Sequence, residues 1–123
     1  MTMNKVLLLG NVGDAPRIKN FDNGGKVAQF SLATTKRGYT TKDGKEIAEK
    51  TTWHNILVRQ TGLAKVVEQY VKKGTSLFIE GEITNRDYTN ADGVKKTITE
   101  IEVSELRLIG GKKESSPLED LPI

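Results

Sequence analysis

One segment of this chain has the periodicity of a helix, and this feature constrains the fold more than any other. In "TGLAKVVEQYVKKG", residues 61–74, apolar residues recur three and four positions apart and form one stripe. Thr61 is placed as the N-cap of this helix, and Gly74, after two lysines, as its stop. The other apolar segments are a short apolar run closed by glycine and segments with apolar–polar alternation, both typical of strands. The chain is therefore predicted to be mainly β, with one helix. The predicted stripe comprises Leu63, Val66, Val67, Tyr70 and Val71.

Strands are predicted on both sides of this helix. Three precede it and two follow it, in this order: "NKVLLLGNVG" (4–13), "KVAQFSLATT" (26–35), "KTTWHNILVR" (50–59), "TSLFIEGEIT" (75–84) and "ITEIEVSELRLI" (98–109). The polar segments 37–49 and 85–97 each contain an Asp-Gly turn and are predicted as long hairpins. A phase shift near Ser104–Glu105 indicates a β-bulge. Five strands, with the helix between the third and the fourth, is the layout of an OB-fold barrel.

The distribution of charge divides the chain into a basic body and an acidic end. The whole chain carries 19 basic and 16 acidic residues, a net charge of +3. Residues 114–123 contain three of the acids and no base, so the other 113 residues carry a net charge of +6. Residues 1–109 are predicted as one domain, and residues 110–123 as a short flexible linker and acidic tip. A basic body suits a polyanionic partner, although a mildly basic domain with a tail explains the charge equally well.

Composition also excludes several classes of protein. The chain has no cysteine and one histidine, so disulfides, thiolate metal sites and Cys/His nucleophiles are not expected, nor is a cofactor. The apolar run near the N-terminus is too short for a signal peptide, and no run has the length of a membrane span. A cytoplasmic protein without a membrane partner is expected.

The third predicted strand holds the chain's one tryptophan and one histidine as neighbours, Trp53 and His54. Because neighbours on a strand point to opposite faces, the two side chains have different surroundings. His54 shares its face with two aliphatic residues and is assigned to the core or to an interface between subunits. Trp53 shares the less apolar face with Arg59.

Two tyrosines in the predicted hairpins, Tyr39 and Tyr88, lie among basic residues. Exposed aromatic rings beside cations suit single-stranded nucleic acid, because bases stack on the rings at about 1–3 kcal/mol each and cations contact the phosphates. The alternative is structural: a strand tryptophan is more often core, and a hairpin tyrosine often covers a turn. The candidate phosphate contacts are Lys36, Arg37, Lys42, Arg59, Arg86, Lys95 and Lys96.

With these features, the sequence resembles the bacterial single-stranded DNA-binding proteins of the homotetrameric OB-fold type over roughly residues 3–109. The resemblance lies in "NKVLLLGNVG", "NGGKVAQFSLAT", "TTWHNILV", "YVKKGTSLFIEGEI" and "NRDYTNADG". It implies a non-enzymatic, nucleoid-associated protein that binds and protects single-stranded DNA in replication, recombination and repair. The stacking positions of the family match Tyr39, Trp53 and Tyr88, whereas Arg59 stands where the family usually has phenylalanine.

The resemblance also implies contacts with proteins. His54 matches a position near the subunit contacts of the family, and Phe78 is a second interface candidate because it alternates away from its buried neighbours. The family's acidic tip, which docks on replication, recombination and repair proteins, is matched by Glu119, Asp120, Leu121, Pro122 and Ile123. Here the linker is short and isoleucine replaces the usual terminal phenylalanine, so weaker or more selective docking is expected.

Three alternatives stay open at this point. The first is a mainly dimeric OB-fold interaction protein of the primosome type. The second is a nuclease, which would need clustered carboxylates to hold metal ions; the acids here are scattered. The third is an RNA-binding OB-fold, because stacking does not distinguish a 2′-hydroxyl.

Overall fold

The computed structural model describes residues 1–109, and the predicted linker and acidic tip, residues 110–123, lie outside the described residues. Five strands are long and three are short. In chain order the elements are β1 (Val6–Val12), β2 (Arg17–Asn20), β3 (Lys26–Lys36), β4 (Tyr39–Thr40), β5 (Glu46–Ile47), β6 (Lys50–Val58), α1 (Thr61–Tyr70), β7 (Ser76–Thr89) and β8 (Lys95–Leu108).

The five long strands form a closed barrel in the order β1-β7-β8-β6-β3, and β1 pairs again with β3 to close it. The closing contact is short, because it joins Asn11 to Ala33 and Val12 to Leu32. All neighbouring strands are antiparallel except β6 and β8, which run parallel. One helix between the third and fourth barrel strands completes the described part, so the predicted OB-fold barrel is confirmed.

Alternation of apolar and polar residues fills the interior of the barrel. On β3, Ala28, Phe30 and Leu32 are buried while the residues between them are partly exposed. Each fully buried aliphatic side chain contributes about 1.5–3 kcal/mol relative to an exposed one. Such side chains come from β3, β6, α1 and β7, so one core joins the helix to the barrel. The largest of them are Leu32, Ile56, Leu77, Ile79, Val58 and Val67.

The helix α1 is confirmed, but both of its predicted ends are wrong. Its N-cap is Gln60, which makes no side-chain cap hydrogen bond. The Thr61 hydroxyl instead accepts a hydrogen bond from the backbone N–H of Lys26 at 3.3 Å, which ties the helix start to β3. The helix ends at Tyr70, and Gly74 lies four residues later with a φ of +90°, in the turn before β7. Of the predicted stripe, Val67 and Val71 are buried, whereas Tyr70 is exposed.

Three strand features differ from the sequence prediction or refine it. The strand β2 was missed, because four residues with one apolar member give almost no alternation. The predicted hairpin 37–49 contains its own small sheet of β4 and β5. The segment 85–97 is mostly regular, since β7 and β8 remain paired as far as Thr89 and Lys95 and form a two-stranded arm.

The predicted bulge near Ser104 is confirmed. The register between β7 and β8 shifts where Glu80 pairs with Glu105 while Gly81 pairs with Val103, so Ser104 is the extra residue. Its hydroxyl donates to the carbonyl of Glu80 at 3.1 Å. A bulge increases the local bend of a strand, which helps β8 curve around the barrel. The described part contains no helix long and apolar enough to span a membrane.

Candidate nucleic-acid interface

Trp53 lies on the outer face of β6, and its side chain is 60% exposed. Its indole lies against the backbone at Gly13, where a methyl group would overlap the ring atom Cζ3. Gly13 is itself held in place because its N–H donates to the carbonyl of Ser31 at 2.9 Å. The ring is therefore supported on one side by the barrel and open on the other, which is the arrangement that stacking requires.

A cleft of about 350 Å³, the Trp53 cleft, lies beside this ring between β6 and β8. It opens because the parallel pairing of these strands is confined to two residue pairs, Ile56–Ile101 and Leu57–Glu102. Beyond that point one side chain bridges the gap, since the Asn55 amide donates to the carbonyl of Thr99 at 3.2 Å. The cleft is lined by Trp53, His54, Asn55, Thr97, Ile98, Thr99 and Ile101.

Two further clefts continue from the Trp53 cleft along the outer surface. The middle cleft, of about 360 Å³, shares Asn55 and Ile98 with the Trp53 cleft. The third, of about 640 Å³, is called the Phe21 cleft after the aromatic residue in its wall. Its wall shares three polar side chains with the middle cleft, so the three clefts form one groove. The shared side chains are Arg17, Gln29 and Arg86.

The groove contains an ion pair between Arg86 and Glu100. The Arg86 Nε lies 3.1 Å from Oε1 of Glu100, and its Nη2 lies 3.0 Å from Oε2. Glu100 is 3% exposed, while Arg86 reaches the groove surface. Hydrogen bonding to Glu100, followed by its charge, raises the pKa of Arg86 above its ordinary value. The guanidinium is therefore fixed and charged, but part of its charge is balanced within the protein.

Arg59 stands at the far end of β6 from Trp53 and lines the Phe21 cleft. Its Nε lies 3.8 Å from a carboxylate oxygen of Glu102, and its side chain is largely exposed. An exposed pair at this distance contributes little to stability, so the guanidinium of Arg59 is available to an anion in the groove.

Tyr88 and Lys96 face each other across the arm formed by β7 and β8. Arg86 lies two positions before Tyr88 on β7 and pairs with Ile98 of β8, and both Arg86 and Ile98 line the groove. Because side chains two positions apart share a face, Tyr88 and Lys96 lie on the face that borders the groove. Lys95 pairs with Thr89 and therefore lies on the opposite face of the arm.

Tyr39 is exposed on the separate small sheet, opposite Ile47. The predicted phosphate contacts Lys36, Arg37 and Lys42 are exposed beside it. None of these four residues lines the three clefts. The structure therefore places Trp53 in the groove and Tyr88 on the face of the arm that borders it, whereas Tyr39 lies on the β4–β5 hairpin, a second arm.

The two predicted interface residues lie on different strands. His54 is half-buried, and its Nε2 lies 2.9 Å from the hydroxyl of Thr34, so it has a hydrogen-bond partner within the chain. Phe78 is half-buried on β7, opposite Leu9 of β1. Leu7 and Leu9 are exposed on the outer face of β1, which the sequence reasoning missed. The run "VLLL" was the sequence signal for this apolar outer face, because a strand that is apolar on both faces needs a packing partner on each face.

The groove also contains charged and aromatic residues that were missed from the sequence, among them Arg17, Lys19, Phe21 and Glu100. Arg17 and Phe21 lie at and just beyond the ends of the unpredicted β2, and the alternation of Arg17, Ile18 and Lys19 was a weak signal for it. Glu100 had no local signal, because its burial depends on a guanidinium fourteen residues earlier in the chain.

Comparison with known proteins places this chain among single-strand binding proteins. The family model described as "Single-strand binding protein family" matches residues 3–109. Over 112 residues the chain is 49% identical to a single-stranded DNA-binding protein of Bacteroides thetaiotaomicron, covering 91% of this chain and 69% of the relative. A protein of the same description from Neisseria meningitidis serogroup A is 37% identical over 116 residues, covering 94% of this chain and 65% of the relative.

Among solved structures, "Plasmodium falciparum SSB complex with ssDNA" superposes with a TM-score of 0.78 at 33% identity. The match covers 89% of this chain and 97% of the other. A closed OB-fold barrel with an aromatic and basic groove defines a nucleic-acid-binding class of protein. Within that class, the chain belongs to the single-strand binding protein family.

The contact between Gly13 and the indole predicts that Gly13→Ala displaces Trp53, because the new methyl group and the ring cannot occupy the same space. We expect a shifted emission maximum and an altered near-ultraviolet circular dichroism signal from this tryptophan, while the far-ultraviolet spectrum stays unchanged. Asp14→Ala, at the exposed neighbouring residue, is the control. Identical tryptophan spectra for Gly13→Ala and the parent chain would contradict the described contact.

Proposed function

We propose that this protein binds single-stranded DNA without sequence preference, through base stacking and neutralisation of phosphate charge. One observation carries the proposal: the exposed, supported ring of Trp53 stands at the end of a continuous groove lined with cations. Membership of the family and the likeness to a solved SSB complex with single-stranded DNA support it.

In this proposal Trp53 is the central stacking platform, and Tyr88 and Tyr39 stack further bases from the two arms. The phosphate contacts are the cations on and around the groove, because a flexible strand needs charge neutralisation along its whole path. Arg59 and Arg86 line the groove directly. The others lie on the arms and at the end of β3; they are Lys36, Arg37, Lys42, Lys95 and Lys96.

The chemistry of the groove favours single strands over duplex. Stacking needs an exposed π-face, and the bases of a duplex are already stacked on each other. Every base has such a face, so recognition does not depend on sequence. We further propose that the protein is not an enzyme and coats exposed strands in the bacterial cytoplasm during replication, recombination and repair, which is the role typical of the family.

The first test is a titration with oligothymidylate that follows Trp53 fluorescence across a salt series. We expect strong quenching, with a slope of log K against log[salt] of about −0.7 for each phosphate contacted. By anisotropy of a labelled oligonucleotide, Trp53→Ala should lose about 1–3 kcal/mol of binding free energy, the value of one stacked base. Trp53→Phe retains a ring and is the matched control.

Binding without quenching would exclude Trp53 as the platform, and absence of binding at low salt would refute the proposed function. A labelled DNA strand incubated with the protein and Mg²⁺ should remain uncut. Cleavage would favour the nuclease alternative. Tighter binding of oligouridylate than of oligothymidylate would favour the RNA-binding alternative, because stacking alone does not read the sugar and such a preference would require contacts to the 2′-hydroxyl.

We also propose that the protein is a homotetramer whose subunit contacts involve the outer face of β1. Leu7 and Leu9 are exposed there, and Leu9 is opposite the half-buried Phe78, so three apolar side chains share this surface. His54 is the other proposed contact. Contiguous exposed apolar side chains are typical of protein–protein contact sites.

Native mass spectrometry tests this assembly. The parent chain is expected as a tetramer, and Leu9→Glu as a smaller species, because the interface would have to bury an unpaired carboxylate. Tyr70→Glu introduces the same charge at an exposed ring on α1 and should leave the number of subunits in the native assembly unchanged. A dimeric parent chain would favour the primosome-type alternative.

Finally, we propose that Glu119, Asp120, Leu121, Pro122 and Ile123 recruit partner proteins, with the acids steering and Ile123 entering an apolar pocket. Deletion of residues 119–123 should remove the proteins that the full chain retains from bacterial extract, while oligothymidylate binding persists. Ile123→Phe should strengthen their retention, since a phenylalanine buries more apolar surface. Recovery of the same proteins with the deleted chain would contradict this role.

A further inference from the structure

The Phe21 cleft is distinct from the Trp53 cleft in position and in composition. Trp53 and Arg59 are six residues apart on one extended segment, about 20 Å. A base stacked on Trp53 therefore cannot reach the Phe21 cleft, which Arg59 lines. At about 640 Å³, the Phe21 cleft is the largest of the three and falls within the range of small-ligand pockets.

The lining of the Phe21 cleft combines an apolar floor with a cationic rim. The floor is made by Val27 and Leu57, and Leu57 is buried although it lies on the side of β6 opposite the main core. Four cations and no carboxylate line the cleft in the described part of the chain. They are Arg17, Lys19, Arg59 and Arg86.

Two of these cations have no acidic partner. In residues 1–109, no carboxylate oxygen lies within 4.0 Å of the charged groups of Arg17 or Lys19. Both are exposed on β2, two positions apart, and therefore project from the same face. Their charge is not balanced within the protein as that of Arg86 is, so it is available to an anion.

Phe21 supplies an aromatic surface in the same cleft. It follows β2 directly and is 47% exposed, so a large part of its ring is not used by the fold. Its backbone is fixed by a tight turn, because its N–H donates to the carbonyl of Gly25 at 2.9 Å and its carbonyl accepts from Gly24 at 3.0 Å. Because the backbone at Phe21 is held in this turn, only the torsions of the side chain remain to be ordered when a base stacks on the ring.

We propose that the Phe21 cleft is a separate nucleotide subsite, in which a base of single-stranded DNA stacks on Phe21 while neighbouring phosphates contact Arg17 and Lys19. This inference rests on the proposed function and extends it, because it assigns stacking to a residue outside Tyr39, Trp53 and Tyr88. The path of the bound DNA then runs from Trp53 through the middle cleft to β2.

The test compares Phe21→Leu with the full chain by anisotropy of labelled oligothymidylate. Leucine keeps an apolar side chain but removes the ring, so affinity should fall at least about fivefold, the lower value for one stacked base. Quenching of Trp53 at saturation should be unchanged, because that ring still carries a base. Tyr70→Leu removes another exposed ring, one that lines none of the clefts, and should bind as the parent does.

The cations are tested separately. The double variant Arg17→Gln/Lys19→Gln should reduce the magnitude of the slope of log K against log[salt] by about 1.4, the value for two phosphates on a single strand. Phe21→Leu should leave that slope unchanged. Thermal unfolding and native mass are measured for each variant, and photocrosslinking of bromodeoxyuridine-containing strands to the parent chain gives a readout that needs no substitution.

The outcomes separate this inference from the proposed function. If the parent chain does not bind, both fail. Suppose that the parent chain binds oligothymidylate with quenching of Trp53 fluorescence. If Phe21→Leu then binds with the same affinity, or if no crosslink maps to residues 17–25, the subsite is overturned and the proposed function stands. A changed native mass for Phe21→Leu would show that the ring serves subunit contact, which also overturns the subsite.

Discussion

The short parallel contact between β6 and β8 is the constraint on which the groove depends. In this barrel the β7–β8 half and the β6–β3 half are joined on one side by β6 and β8, which pair at Ile56–Ile101 and Leu57–Glu102 alone. Beyond these pairs β8 remains with β7 and leaves β6, which opens the Trp53 cleft. The same geometry that closes the core therefore exposes the outer face of β6, with Trp53 near its middle and Arg59 just past its end.

Charge in the groove is arranged in two ways. Arg86 is held by the buried carboxylate of Glu100, which fixes the guanidinium plane but balances much of its charge. Arg17 and Lys19 stand at the rim, exposed and without an acid within 4.0 Å in the described part. A fixed cation orients a ligand, whereas an unbalanced one attracts it, so the two kinds contribute differently to a polyanion site.

The sequence was sufficient for the features that local pattern determines. An apolar run located the first barrel strand and alternation helped to locate the others, the phase shift located the bulge at Ser104, and periodicity located α1. The face assignment on β6 also holds, since Ile56 and Val58 are buried and Trp53 is exposed. Opposite chemistry on the two faces of one strand is a short-range property and can be read from one segment.

Features that depend on distant residues could not be read in this way. Thr61 looked like a cap, but its hydroxyl is used by Lys26, thirty-five residues away. By alternation Leu57 shares the outer face of β6 with Trp53, yet Leu57 is buried beneath the groove that β2, β3 and the β7–β8 arm build together. The groove as a whole, including Phe21, required knowledge of which strands become neighbours.

The β4–β5 ribbon differs from the barrel in what supports it. Trp53 sits on a barrel strand that pairs with β3 at this position. Tyr39 instead sits on a two-stranded ribbon of two residues per strand, and a ribbon of this kind is marginal alone. In the proposed mode of binding, Trp53 is already in place when a strand arrives, while the ribbon loses conformational freedom on contact. Encounter would thus begin on the barrel, and the ribbon that carries Tyr39 would order against a DNA strand already held there.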